Sequence, residues 1–148
     1  MNHEQGDMWS VFDETDFFLV TTNSYIRQDG ALVMGRGIAK QLANRFPHMP
    51  YNFANQTTHL GTYGLIIHLR DDTHLGAFQV KHHYSDAATL SLIQYSTNHL
   101  YNLANRLPSK RFDMNFPGIG NGRLPYDEVL PIIETLPNNV HIWTYPRR

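Results

Sequence analysis

The sequence predicts an α/β fold built on a central mixed, mostly parallel sheet. Three observations carry that reading. Strand-like and helix-like segments alternate along the chain. One early segment, Phe17 to Thr22, is apolar or β-branched throughout, as a strand covered on both faces must be. Two glycine loops each stand between a strand candidate and a helix candidate, where open α/β sheets bind ligands.

The elements follow in order. Met8 to Phe12 reads as a short strand, ended by Asp13, Glu14 and Thr15. Phe17 to Thr22 is the doubly buried strand, and Asn23 to Gly30 is a polar loop. Helix signals begin at Gly35 to Gly37 and run through Ile38, Ala39, Leu42, Ala43 and Phe46 until Pro47 stops them. Gly64 to Leu69 and Gly76 to Lys81 read as strands, with Asp71 and Asp72 in the turn between. Ser85 or Asp86 caps a long helix. Its stripe is Leu90, Ile93, Leu100, Leu103, Ala104 and Leu107, and Pro108 ends it. Arg111 to Phe116 is another strand. Pro125 opens a helix reaching Leu136, and Val140 to Tyr145 closes the chain as a strand.

Composition bounds the function. A chain of 148 residues, 41% hydrophobic and 17% charged, suits one globular domain over residues 1–148. A formal charge of -1 supplies no global attraction to nucleic acid or to an acidic membrane surface. The absence of cysteine excludes disulfides, thiolate metal sites and a cysteine nucleophile. No apolar run approaches a membrane span, and Met1 to Asp7 is polar, without a signal-peptide core. The expectation is a soluble cytoplasmic protein, in the host cytoplasm if the gene is carried by a phage. Nine histidines invite a metal hypothesis, but His82 and His83 are neighbours and on a strand would face opposite ways. No HExxH pattern occurs, so neither a metal site nor a cofactor is expected. Most of the eight Phe and eight Tyr residues are assigned to the core. Trp9 and Tyr25 are candidates to stack on a nucleobase, with a core role the stronger reading.

The first glycine loop is Met34-Gly35-Arg36-Gly37-Ile38-Ala39, at the start of a helix. Free N–H groups in a first helical turn, together with the helix dipole, attract an anion such as a diphosphate. Taken alone, the same pattern reads equally well as a tight turn. The second loop, Phe116-Pro117-Gly118-Ile119-Gly120-Asn121-Gly122, also follows a strand. Neither contains GxxxxGK[ST] or GxGxxG, which removes the P-loop kinase and dinucleotide dehydrogenase readings.

Five segments, in order, resemble the macrodomain family. They are Gly6-Asp7-Met8-Trp9, Thr21-Thr22-Asn23, Val33-Met34-Gly35-Arg36-Gly37-Ile38-Ala39-Lys40, Val80-Lys81 and the second glycine loop. The likeness is nearest to terminal ADP-ribose protein glycohydrolase, to the antitoxin that removes ADP-ribose from DNA, and to small phage macrodomain proteins. It implies a three-layer α/β/α fold and a site for ADP-ribose. Asp7, followed by Met8, would accept a hydrogen bond from the adenine amino group, although a turn aspartate is common. Asn23 would face the distal ribose, although a loop asparagine often bonds its own backbone. Met34, Gly35, Arg36, Gly37 and Ile38 would line the diphosphate, and Gly118, Ile119, Gly120, Asn121 and Gly122 would close over its other side.

Lys81 matches the lysine that, in the two glycohydrolases, attacks the anomeric carbon of the distal ribose. On spacing alone it is a strand-end lysine in solvent. A partly desolvated lysine is a nucleophilic amine, and a ribose opened to its aldehyde forms a Schiff base with it. One departure stands out. The protein glycohydrolase carries an aspartate just after the second loop, whereas this chain reads Gly122-Arg123-Leu124-Pro125, with Asp127 expected inside the next helix. That departure puts hydrolysis of protein esters in doubt.

The expected function is ADP-ribose recognition with removal of ADP-ribose from a modified nucleic acid or protein, Lys81 and Asn23 being the catalytic candidates. Two alternatives remain open: a module that only binds ADP-ribose or an NAD-derived signal, and a phosphatase for ADP-ribose 1″-phosphate.

Overall fold

The computed structural model describes residues 1–145; the last three residues of the domain expected over 1–148 lie outside the described residues. Six strands are present: β1 (Asn2–Gln5), β2 (Phe17–Asn23), β3 (Leu65–Arg70), β4 (Thr73–Lys81), β5 (Phe112–Asn115) and β6 (Val140–Thr144). Four α-helices accompany them: α1 (Gly37–Arg45), α2 (Met49–Leu60), α3 (Leu90–Arg106) and α4 (Tyr126–Ile133). The strands form one sheet in the order β1-β6-β5-β2-β4-β3. Every neighbouring pair is parallel except β3 with β4.

Strand β2 explains the layering. Its side chains alternate between two cores. Phe17 and Leu19 join Phe78, Val80, Ile93, Leu100, Val129 and Ile133, so that face is covered by α3 and α4. Phe18 and Val20 join Ile38, Leu42, Phe53, Leu75 and Ala77, and that face is covered by α1 and α2. Residues Phe18, Leu19 and Val20 have no exposed surface at all, which is why the segment reads as uninterrupted apolar sequence. The result is the expected three-layer α/β/α arrangement.

Several local expectations are corrected. Met8 to Phe12 is not a strand: Met8–Val11 is a 3-10 turn whose N-terminus is capped by the Asp7 side chain. The strand that precedes it, β1, is polar and mostly exposed, and is held by pairing with β6, Asn2 opposite His141. Pro47 ends α1, but a second helix begins at Met49, with Pro50 in its first turn, where a missing N–H costs nothing. The cap of α3 is Thr89, whose side chain accepts from the Leu92 N–H, and not Ser85 or Asp86. Pro125 is the N-cap of α4, and that helix stops at Ile133, short of Leu136. His82 and His83 lie beyond the end of β4, in a bend, so the strand argument about their directions does not apply. Among the described residues no helix is long and apolar enough to cross a membrane.

Because five strands run parallel, their C-terminal ends share one edge of the sheet. That edge carries Gly6-Asp7 after β1, Asn23 at the end of β2, Lys81 at the end of β4, the loop after β5, and Tyr145 after β6.

Candidate functional site

At the end of β1 the chain turns through Gly6, whose N–H donates to the Thr144 carbonyl at 2.9 Å. Asp7 is exposed, and its Oδ1 accepts from the Trp9 N–H at 3.0 Å. Met8 is buried in the core, which leaves its backbone as the part near the edge. Burial, and then the Asp7 charge, push the Tyr145 hydroxyl above the usual tyrosine range. Tyr145, largely exposed, is near enough to Asp7 for the carboxylate charge to act on its hydroxyl. Sequence reading assigned Tyr145 only to the closing strand, whereas it lies just past β6 at this edge. Trp9 packs on Phe18 with 4.5 Å between ring centroids and lies under the Arg45 guanidinium, so it belongs to the edge of the core.

Asn23 is buried, and both ends of its amide are used. Its Oδ1 accepts from the Tyr25 N–H at 2.9 Å, and its Nδ2 donates to the Val33 carbonyl at 3.1 Å. The side chain thus braces the loop that leads into the first glycine segment. A shift in register between Thr22 and Asn23 places Asn23 opposite Lys81.

In the first glycine loop Met34 and Ile38 are buried, while Gly35, Arg36 and Gly37 are exposed. Arg36 is the N-cap of α1, makes no side-chain capping bond, and no acidic residue follows in the first turn. The leading N–H groups of that helix thus have no side-chain acceptor, which leaves them for an anion. A Cβ built on Gly35 or on Gly37 would meet nothing within 4 Å. Gly37 has φ +60°, but Gly35 has no positive φ. Neither packing nor backbone angle requires glycine at 35, and open space beside a backbone is what a closely approaching ligand needs.

The second loop is built differently. A Cβ on Gly118 would lie 2.5 Å from Ile93 Cδ1, and one on Gly122 would lie 3.0 Å from Ala88 Cβ. These glycines let the loop sit against the start of α3. Gly120 alone faces open space, with exposed Asn121 next to it and half-buried Ile119 before it. After Gly122 the chain reads Arg123-Leu124-Pro125, with no carboxylate before Asp127. Asp127 lies exposed in the first turn of α4.

Lys81 ends β4, the strand beside β2, opposite Asn23. Its Nζ donates to the Tyr84 carbonyl at 3.1 Å. Burial holds the amine below the ordinary lysine value; Arg123 and Arg36 push the same way, and Asp86 opposes them. Arg36 comes from the first glycine loop and Arg123 from the end of the second, and both are near enough for their charges to act on the amine. An open cavity of about 530 Å³ lies alongside, lined by Tyr25, Arg27, Gln28, Asp29, Val33 and Tyr84. Tyr25 is therefore no core residue: it is exposed and meets His83 and Tyr84 edge-on.

The described chain is similar throughout to several solved structures. One is Thermosipho africanus DarTG in complex with ADP-ribose, at TM-score 0.80 and 20% identity, with 100% of this chain and 43% of that chain covered. This chain thus spans less than half the length of that protein. Another is the macrodomain of Thermus aquaticus DarG, at TM-score 0.74 and 22% identity over 99% of this chain and 97% of that one. A third is the macrodomain of Mycobacterium tuberculosis DarG, at 0.72 and 23% over 99% and 98%. No family model and no curated protein matches the chain.

Proposed function

We propose that this chain, which has the macrodomain fold, binds ADP-ribose across the C-terminal edge of its sheet and releases it from a modified nucleic acid or protein. The observation that carries the reading is the placing of Lys81 at the same sheet edge as the two glycine loops, its amine held below its ordinary value by burial and by the charges of Arg123 and Arg36. A solved neighbour, Thermosipho africanus DarTG, holds ADP-ribose.

In this reading the diphosphate lies at the uncapped N-terminus of α1, against Gly35 and Gly37, with Gly120 and Asn121 opposite. Asp7 takes the adenine amino group, and Tyr145 flanks the base. Asn23 keeps the loop beside the distal ribose in shape. Lys81, as the neutral amine, attacks the anomeric carbon. The bond from that carbon to the modified group breaks, and its electron pair leaves with the group, which takes up a proton. The ribose ring opens to leave a Schiff base on Nζ, and water returns free ADP-ribose and the amine. A lowered pKa supplies more neutral amine at neutral pH, so activity rises with pH as the ammonium loses its proton.

The test is turnover on ADP-ribosylated DNA, ADP-ribosylated protein and ADP-ribose 1″-phosphate. Lys81→Ala is expected to lose turnover by orders of magnitude and to keep most ADP-ribose affinity, because the amine acts on the transition state. Borohydride during turnover should trap an adduct on Lys81. Full activity in Lys81→Ala would refute the nucleophile. A second reading, a module that binds without chemistry, is favoured by one observation: no carboxylate follows the second loop before Asp127, which lies exposed in α4. ADP-ribose binding without turnover on any substrate would select it.

A further inference from the structure

The turn after β4 is pinned from several directions. Ser24 Oγ donates to the carbonyls of Lys81 and His82 at 3.1 and 3.2 Å. The Tyr63 hydroxyl meets His82 Nδ1 at 2.8 Å. Lys81 Nζ donates to the Tyr84 carbonyl, and the next carbonyl along, that of Ser85, accepts from Arg123 Nη2 at 3.0 Å. A backbone bond from the Ala88 N–H to the Gly122 carbonyl, 2.9 Å, joins the same two segments. The acceptor that fixes the amine is thus one peptide away from a group tied to the second glycine loop.

Arg123 occupies a left-handed backbone position, φ +63° and ψ +13°. Among the described non-glycine residues only Asp71 shares a positive φ. Glycine would fill such a position without steric cost. A long side chain kept there needs a reason, and strained non-glycine positions gather at ligand sites. The side chain of Arg123 is the one that reaches the Ser85 carbonyl.

We propose that Arg123 is the positioning residue for the Lys81 amine, holding the Tyr84–Ser85 turn against the second glycine loop so that Nζ rests at one place beside the ligand edge. Its charge acts in the same sense. After burial, Arg123 is the largest influence lowering the Lys81 pKa, followed, after the opposing Asp86, by Arg36 from the start of α1. The other titratable groups at this place are His82, His83 and Tyr84 of the turn, Tyr63 ahead of β3, and Tyr25 from the loop after β2. The catalytic meaning of the proposal rests on Lys81 being the nucleophile; the placement of the amine does not.

The test separates the two. The chain has three lysines, Lys40, Lys81 and Lys110, so the signals of reductively ¹³C-methylated protein are readily assigned with a Lys81→Arg control. Wild-type Lys81 should titrate below the other two. In Arg123→Gly its titration should move up toward theirs, and in Arg123→Lys it should stay nearer the wild type. Arg123→Gly suits the local backbone, so its melting temperature should be unchanged or higher, which keeps a folding defect from hiding the answer. On a turned-over substrate, kcat near neutral pH should fall about tenfold for each pH unit by which the titration rises, with KM little altered. A Lys81 titration in folded Arg123→Gly that superimposes on the wild type overturns the proposal. A shifted titration in a protein that turns over none of the three substrates upholds the positioning role and rejects the nucleophile.

Discussion

The two glycine loops resemble each other in sequence and differ in the reason for their glycines. In the first loop, added side-chain atoms at Gly35 and Gly37 would enter open space, and the helix that follows has no side-chain cap. In the second, Gly118 and Gly122 are pressed against Ile93 and Ala88, and only Gly120 is open. Gly35, with nothing beside it and no positive φ, is not required by the chain's own packing or backbone. A glycine with a neighbour at 2.5 Å serves the chain itself. The first loop leaves open space beside its backbone, and the second is packed against the start of α3.

Three substitutions sharpen or break that contrast. Gly118→Val should have the largest effect: it combines a left-handed backbone with a contact at 2.5 Å, for a stability loss of roughly 3–5 kcal/mol in urea unfolding. A stability near wild type would show that the second loop is not a packed wall. Gly35→Val should leave stability within about 1 kcal/mol, because nothing stands in the way and no positive φ is involved. Its ADP-ribose affinity, by calorimetry, should fall at least about tenfold, the equivalent of one lost phosphate hydrogen bond. Unchanged affinity removes the first loop from the site. Gly37→Val is the less clean probe, since φ +60° adds strain to any loss of binding.

Asp7→Asn should do least, since asparagine caps the 3-10 turn as well as aspartate does, and the melting temperature should scarcely move. ADP-ribose should bind about fivefold more weakly if the carboxylate takes the adenine amino group, a loss of about 1 kcal/mol. An equal loss for ribose 5-phosphate, which has no adenine, would place Asp7 elsewhere.

What the sequence made legible follows from where each signal is stored. The β2 run, the stripe of α3 and the two loops are local patterns, and they were readable. The 3-10 turn at Met8 was not, because its apolar residues imitate a strand and only the Asp7 cap, seen in space, decides the matter. Strand β1 has almost no apolar residue, and its reason to exist is a partner about 140 residues away. Helix α2 is largely polar and was not read from the sequence; its Pro50 lies in the first turn. In the site, the family likeness marked Lys81 and the loops. The influence of the Arg36 and Arg123 charges on Lys81, and of the Asp7 charge on Tyr145, links residues far apart in the chain, which no spacing records. Asn23 shows the converse: its side chain is spent on the loop, so a residue type suited to sugar recognition can instead be structural.

Strand β2 also has a kinetic meaning. Its middle residues belong to both cores at once, so neither helical layer can peel away and leave them bare on both faces. Amide protons there should exchange with solvent only when the whole molecule opens, whereas those of the polar edge strand β1 exchange through local fraying. Lys81 sits at the end of the strand beside β2, on the slow-exchanging axis of the fold, while the glycines at 35 and 37 lie off it. The amine is thus carried by an inner strand of the sheet, whereas the two open glycines lie outside the sheet, at the start of α1.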